Sequence, residues 1–220
     1  EVAENRLRAA VAKFPHSYSL QVSLIQWLRS NRLLAAKPEI ERFLKLYPAS
    51  AWGHREAAII AISSHDLPAA EEYCRNAIDL EPNNDTAHFL LGRIAFDRGD
   101  LSAARQHFRV TLQKNCDHDS AVSALLQTCL KPAERKEQLE FVLEQLRVQT
   151  TFGEGVLSYR ETAVGRIEPD VILSGLEEAR SNRPDLWHTW IAVVQQLMSM
   201  NQRKRAVEVA TEATERFPLT

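Results

Sequence analysis

The chain has 220 residues, with 27 Lys and Arg against 29 Asp and Glu and a pI near 6.4. That balance leaves no broad basic field to hold a nucleic-acid backbone or an anionic membrane. No apolar run approaches the ~18–20 residues that a membrane-spanning helix requires. Only seven glycines occur, strict apolar/polar alternation is scarce, and Ala, Leu, Arg, Glu and Gln dominate, so helix is expected throughout and no sheet.

Read in chain order, prolines give the first punctuation. Pro15, Pro48 and Pro82 are spaced by 33 and 34 residues, and Pro184 and Pro218 again by 34. Each should end a helix, because proline has no N–H to donate and forces the residue before it out of the α region. Inside the helical stretches, small or aliphatic residues recur at i, i+4 and i+7, the spacing that stacks side chains on one helical face. The series is Ala3/Leu7/Ala10, Ala36/Ile40/Phe43, Ala70/Cys74/Ala77, Ala104/Phe108/Thr111, Leu139/Leu143/Leu146, Ile172/Leu176/Ala179 and Ala206/Ala210/Ala213. Successive first members differ by 33, 34, 34, 35, 33 and 34 residues. Between these stretches, Asp66 and Asp100 stand where a helix begins and can accept from its free N–H groups. Ser50 and Asp185 offer similar caps. Gly99 can adopt the left-handed conformation that closes a helix.

With Leu91-Gly92, Gly99-Asp100, Ala104 and Phe108 in residues 85–118, the chain resembles the tetratricopeptide repeat family, whose 34-residue helix–turn–helix carries a W-x2-L-G-x2-Y, A-x3-F-x2-A, P pattern. Residues 51–84 add Asp66, Ala70, Ala77 and Pro82 to the resemblance. Residues 187–220 add Trp190, Ala206, Ala213 and Pro218. The resemblance implies an all-α, right-handed superhelical solenoid of antiparallel helix pairs over 1–220. Its expected parts are a half repeat (1–16), better-formed repeats at 17–50, 51–84 and 85–118, degenerate repeats at 119–151 and 152–186, and a last repeat at 187–220. Residues 119–169 lose the signature Gly and Pro and carry Lys131-Pro132-Ala133 and Thr150-Thr151-Phe152-Gly153-Glu154-Gly155 at their seams, so this part either stacks regularly or kinks. A start without Met and an uncapped last repeat suggest a fragment of a longer chain, or ends that pack against flanking segments or a second copy.

The resemblance also implies a concave groove lined by the first helices of the hairpins. Mapped by phase, it receives Tyr18, Gln21, Ile25, Leu28 and Arg29, then Trp52, Arg55, Ile59 and Ile62, then Phe89, Arg93, Phe96 and Asp97. The groove residues taken as the partner-binding set are Tyr18, Trp52, Arg55, Ile59, Phe89, Arg93, Phe96 and Asp97. Aromatic and aliphatic groups interleaved with arginines suit a binding hot spot. In the alternative reading Ile25, Ile59 and Phe96 pack between helices and the register is shifted by one residue. The Lys, Asn and Arg clamp by which some relatives hold a C-terminal carboxylate is absent, since its positions fall on Gln21, Ile25, Glu56, Thr86 and Leu90. An apolar peptide or helix with acidic residues is the better match.

Nothing resembles an active site. His54 and His88 share one repeat position and read as packing residues, and Cys74 as a small apolar one. Cys116-Asp117-His118 has no second ligand pair to complete a tetrahedral metal site. Gly153-Glu154-Gly155 lacks the strand and third glycine of a dinucleotide loop. Glu71-Glu72 and Glu177-Glu178 read as solvated helix faces. The expectation is a non-catalytic protein-interaction scaffold without metal or cofactor, or alternatively the substrate-recruiting arm of a larger enzyme such as a glycosyltransferase or sulfotransferase. An RNA-binding helical repeat would need a basic groove with base-reading polar pairs. Three cysteines with no framework spacing fit a reducing, cytoplasmic setting.

Overall fold

The computed structural model describes residues 2–118, 120–149 and 152–218. The described residues form thirteen α-helices and no strand, an all-α helical-repeat fold. The chain divides into two compact units, 1–98 and 99–220. The first holds α1 (Val2–Lys13), α2 (Tyr18–Asn31), α3 (Leu33–Leu46), α4 (Ala51–Ser63), α5 (Leu67–Leu80) and α6 (Asp85–Asp97). The second holds α7 (Leu101–Lys114), α8 (Ala121–Gln127), α9 (Pro132–Gln149), α10 (Glu154–Ala163), α11 (Pro169–Asn182), α12 (Trp187–Ser199) and α13 (Arg203–Arg216). Within each unit, helices adjacent in the chain pack against one another.

Proline sets the helix ends. Tyr47, Glu81, Arg183 and Phe217 each precede a proline, and each closes its helix at φ between −133° and −124° and ψ between 65° and 81°. That restriction is the clash of the proline ring with the preceding residue. Pro38 differs, because α3 runs through it. The carbonyl it leaves without a helical donor belongs to the well-exposed Leu34, where water can serve.

The tight turns between helices use a left-handed residue. His65, Gly99 and Asn201 lie 34 and 102 residues apart, one and three repeat lengths, and all have positive φ, as does Gly165. Ser50, Asp66, Asn84 and Asp100 accept from the N–H three residues on and cap α4, α5, α6 and α7. Asp185 does not cap α12. It binds Arg183 at 2.9 Å, and Leu186 stands at the cap without a side-chain bond.

The spaced apolar triads are the core. In α3, α5, α7 and α11 every member is at most 3 % exposed, and the α9 set is buried as well. At the two ends burial is partial: Ala3 is exposed, and Ala210 and Ala213 are half-buried beside Trp187, Trp190 and Phe217 in an apolar cleft. Two buried glycines allow close approach. A Cβ on Gly53 would stand 2.8 Å from the Phe43 ring, and one on Gly175 2.6 Å from Leu143.

The segment with the weakest repeat pattern is irregular. α8 has seven residues and α9 eighteen. Arg105 ends α8 by donating to the carbonyl and hydroxyl of Thr128, and Glu134 accepts from the N–H groups of Leu130 and Lys131 at the start of α9. The turn inside this hairpin is thus Cys129-Leu130-Lys131, and Pro132 and Ala133 open α9. α10 then packs on α8, α9, α11 and α12. Its first turn is held from a distance: Asp117 Oδ2 accepts from Phe152 N at 2.7 Å, while Oδ1 accepts from Gly153 N and Gly155 N at 3.0 and 2.9 Å. Gly155 lies so near the Cys116 carbonyl that a Cβ would come within 2.2 Å of its oxygen. Thr150 and Thr151 of this seam lie outside the described residues, as do the hairpin limits 119 and 151 and the outermost residues Glu1, Leu219 and Thr220.

Two outcomes are expected in urea unfolding. His65→Gly should raise stability by about 0.5–1 kcal/mol and Gly99→Ala should lower it by about 1 kcal/mol, since both positions require a left-handed backbone. Asp117→Ala should cost about 2–3 kcal/mol by orphaning three N–H groups, and Asp117→Asn less.

Candidate functional site

Among the described residues no group of three or more His, Cys, Asp or Glu side chains is placed to hold a metal ion, and no helix is long and apolar enough to cross a membrane. Burial pushes the Cys74 thiol up to about 12, so it stays protonated and serves as a small core residue. Three of the four paired glutamates are held by arginines, while Glu72 is exposed. Glu71 binds Arg75 and, at 2.7 Å, Arg98, while Glu177 binds Arg205 and Glu178 binds Arg147 across helices. His54 is anchored through Nε2 to the Pro48 carbonyl at 2.9 Å. Trp190 Nε1 donates to the Pro184 carbonyl at 3.0 Å in the same way, and Gln21 Nε2 donates to that of Pro15.

These ties fix the register of the first hairpin. Gln21, six residues after its proline, is equivalent to His54, so numbering there runs one residue behind the second hairpin. The groove mapping of Gln21, Ile25 and Leu28 is therefore corrected: all three are buried, with Ile25 and Leu28 in the core formed with Phe43 and Ala57. Ile62 is buried too. The remaining residues behave differently, since Tyr18, Trp52, Arg55, Ile59, Phe89, Arg93, Phe96 and Asp97 all keep some solvent contact. Tyr18 and Trp52 both rest on Phe43, with ring centroids 5.2 Å away in each case. Ile59 packs against the core around Cys74 and Ile94.

The charges on α2, α4 and α6 balance, with Arg29, Arg55 and Arg93 against Glu56, Asp85 and Asp97. Arg29 binds Glu56 at 3.1 Å and the largely covered Arg55 binds Glu81 at 2.6 Å. Arg93 is exposed and forms no ion pair among the described residues, and the same is true of Asp97 one turn further on. Two contributors to this surface were not anticipated from the sequence, Tyr47 and Glu81. Both precede a proline, 34 residues apart, and that shared position is the signal that could have found them.

Glu56 is 5 % exposed, and its Oε2 is buried without a hydrogen-bond partner among the described residues. Burial raises its carboxyl above the ordinary range, against the pull of Arg29 and Arg55. A raised folded pKa means that stability is fullest below the unfolded carboxylate value, about 4.3, and falls as pH rises through the folded value. Glu56→Gln escapes that loss. Its stability relative to the parent should therefore improve between pH 4 and pH 7 in urea unfolding, and an unchanged difference would refute this account.

Comparison with known proteins agrees with this architecture. Residues 61–129 match the model of the tetratricopeptide repeat family. Over 89 residues, 38 % of the chain, the sequence is 33 % identical to bacteriophage adsorption protein A of Escherichia coli K12, and the match spans only 9 % of that relative's length. The fold is similar to yeast Tom70 (TM-score 0.61, 12 % identity, 97 % of this chain and 46 % of that one). It is also similar to the APC/C hetero-tetramer Cut9-Hcn1 (0.56, 13 %, 89 % and 39 %) and to PilF of Pseudomonas aeruginosa (0.50, 16 %, 99 % and 95 %). Taken with the repeat phase and the recurrent turns, these findings identify tetratricopeptide-type repeat sequence at 61–129 within an all-α helical-repeat fold.

Proposed function

We propose that the chain is a non-catalytic interaction scaffold that binds a segment of another protein in a groove on the first helices α2, α4 and α6. The observation that carries this reading is the state of the eight residues Tyr18, Trp52, Arg55, Ile59, Phe89, Arg93, Phe96 and Asp97. Aromatic, aliphatic and arginine side chains remain solvent-accessible on helices whose other faces are buried. Exposed apolar groups on a rigid helical scaffold can be covered by a partner at little ordering cost. The fold supports the general reading, because tetratricopeptide repeats generally serve as protein-interaction scaffolds.

The preferred segment is apolar with an acidic residue. Arg55 is already neutralised by Glu81 and Arg29 by Glu56. Arg93 is the arginine of this face left to receive a carboxylate, and Phe89 and Phe96 flank it at helical spacing.

The test is a quantitative pull-down read by mass spectrometry, comparing the parent with a folded Phe89→Asp, Arg93→Glu double variant. A small set of proteins should be retained by the parent and bound at least about tenfold more weakly by the variant when remeasured in purified form. Equal retention would move the binding face elsewhere.

A further inference from the structure

At one end of this face, α2, the end of α3 and the start of α4 enclose a depression of about 490 Å³. Its walls include Tyr18, Tyr47 and Trp52, and its one charged lining residue is Glu81. The three rings are braced from behind by the fully buried Phe43, with centroid distances of 5.2, 4.9 and 5.2 Å. Tyr18 meets Tyr47 nearly edge-on, at 76°, so the walls form a corner rather than a flat stack. Two hydrogen bonds fix the corner: Tyr47 Oη donates to the His16 carbonyl at 2.7 Å, and Tyr18 Oη lies 3.2 Å from Ser50 Oγ. Gly53 makes room for the Phe43 ring and so sets the position of Trp52 beside it. The site is therefore built before any ligand arrives.

We infer that this depression receives a cationic side chain, lysine or arginine, of the bound protein segment. This rests on the reading that the first-helix face binds such a segment. Aromatic faces carry negative quadrupole potential and attract a cation placed over them. Glu81 adds a formal negative charge at the rim. Its Oε2 already accepts from Arg55 and Asn84, which shows that a guanidinium suits this rim, while Oε1 has no partner among the described residues and the side chain is half exposed. Among the described residues Glu81 is the one charged group lining the depression, and Arg55, whose guanidinium lies 2.6 Å from Glu81 Oε2, stands outside that lining. A segment bound here would thus place a basic residue between Tyr18 and Trp52 and an acidic one at Arg93, which orients it along the face.

The test uses the chain labelled with 15N, following the four tryptophan indole N–H signals, with that of Trp52 assigned by Trp52→Phe. The probes are capped Gly-Lys-Gly and Gly-Arg-Gly, with Gly-norleucine-Gly and Gly-Glu-Gly as controls. The Trp52 signal should move saturably with the two cationic probes and little with the controls, and Glu81→Gln should weaken the effect roughly fivefold. Should Glu81→Gln fail to fold, Tyr18→Leu removes one wall without touching the ion pair and should weaken it as well. An equal response to norleucine would overturn the cation assignment while leaving the groove reading intact. No response to any probe would also overturn it, and the Phe89 and Arg93 variant would then decide the groove reading separately.

Discussion

Everything in this molecule depends on one steric condition: the second helix of each pair must present a short apolar triad that a neighbour can cover completely. Ala36, Ala70 and Ala104 have no accessible surface, so adjoining atoms lie against their methyl groups, and bulk there would push the helices apart. Because a lone helical hairpin buries too little to offset its chain entropy, the triads make the helices within each unit depend on their neighbours. The same condition frees the opposite side of the first helices. Side chains not required for stacking are left there, and they include the aromatic and arginine groups on α2, α4 and α6.

Much of this was legible because it is periodic. The phase of the triads, the pre-proline helix ends, the caps at Ser50, Asp66 and Asp100 and the left-handed Gly99 all follow from local rules that act within a few residues. Local rules failed where another side chain competes. Asp185 has the right chemistry to cap α12, yet it stands one residue before the cap and Arg183 captures its carboxylate. One missing residue between Pro15 and Pro48 shifts the register of Ile25 and Leu28, and a one-residue shift turns a helix by about 100°, while Ile62 is buried without such a shift. The proposed site was half visible: Tyr18 and Trp52 were mapped to the first-helix face, while Tyr47 and Glu81 join them from the ends of second helices, which a map confined to first helices does not include.

The loss of signature residues after 119 has a physical counterpart. Regular hairpins join through a proline and a short cap. The junction before α10 is instead made by a carboxylate in a nest of three backbone N–H groups, with a left-handed glycine at its edge. Gly153-Glu154-Gly155, which superficially suggests a phosphate loop, does bind an anion, and that anion is the chain's own Asp117. The space a ligand phosphate would take is filled from within.

The tie from the sixth residue after a proline to that proline's carbonyl is made by Gln21, His54 and Trp190, three side chains of different size and aromaticity. What they share is a nitrogen donor at similar reach. The position is thus specified by a donor rather than by a shape, so a repeat can change its residue there, and with it the packing of the neighbouring loop, without loosening the joint. Bulk at this point becomes a free variable by which successive units can be made to sit differently while their connection stays the same.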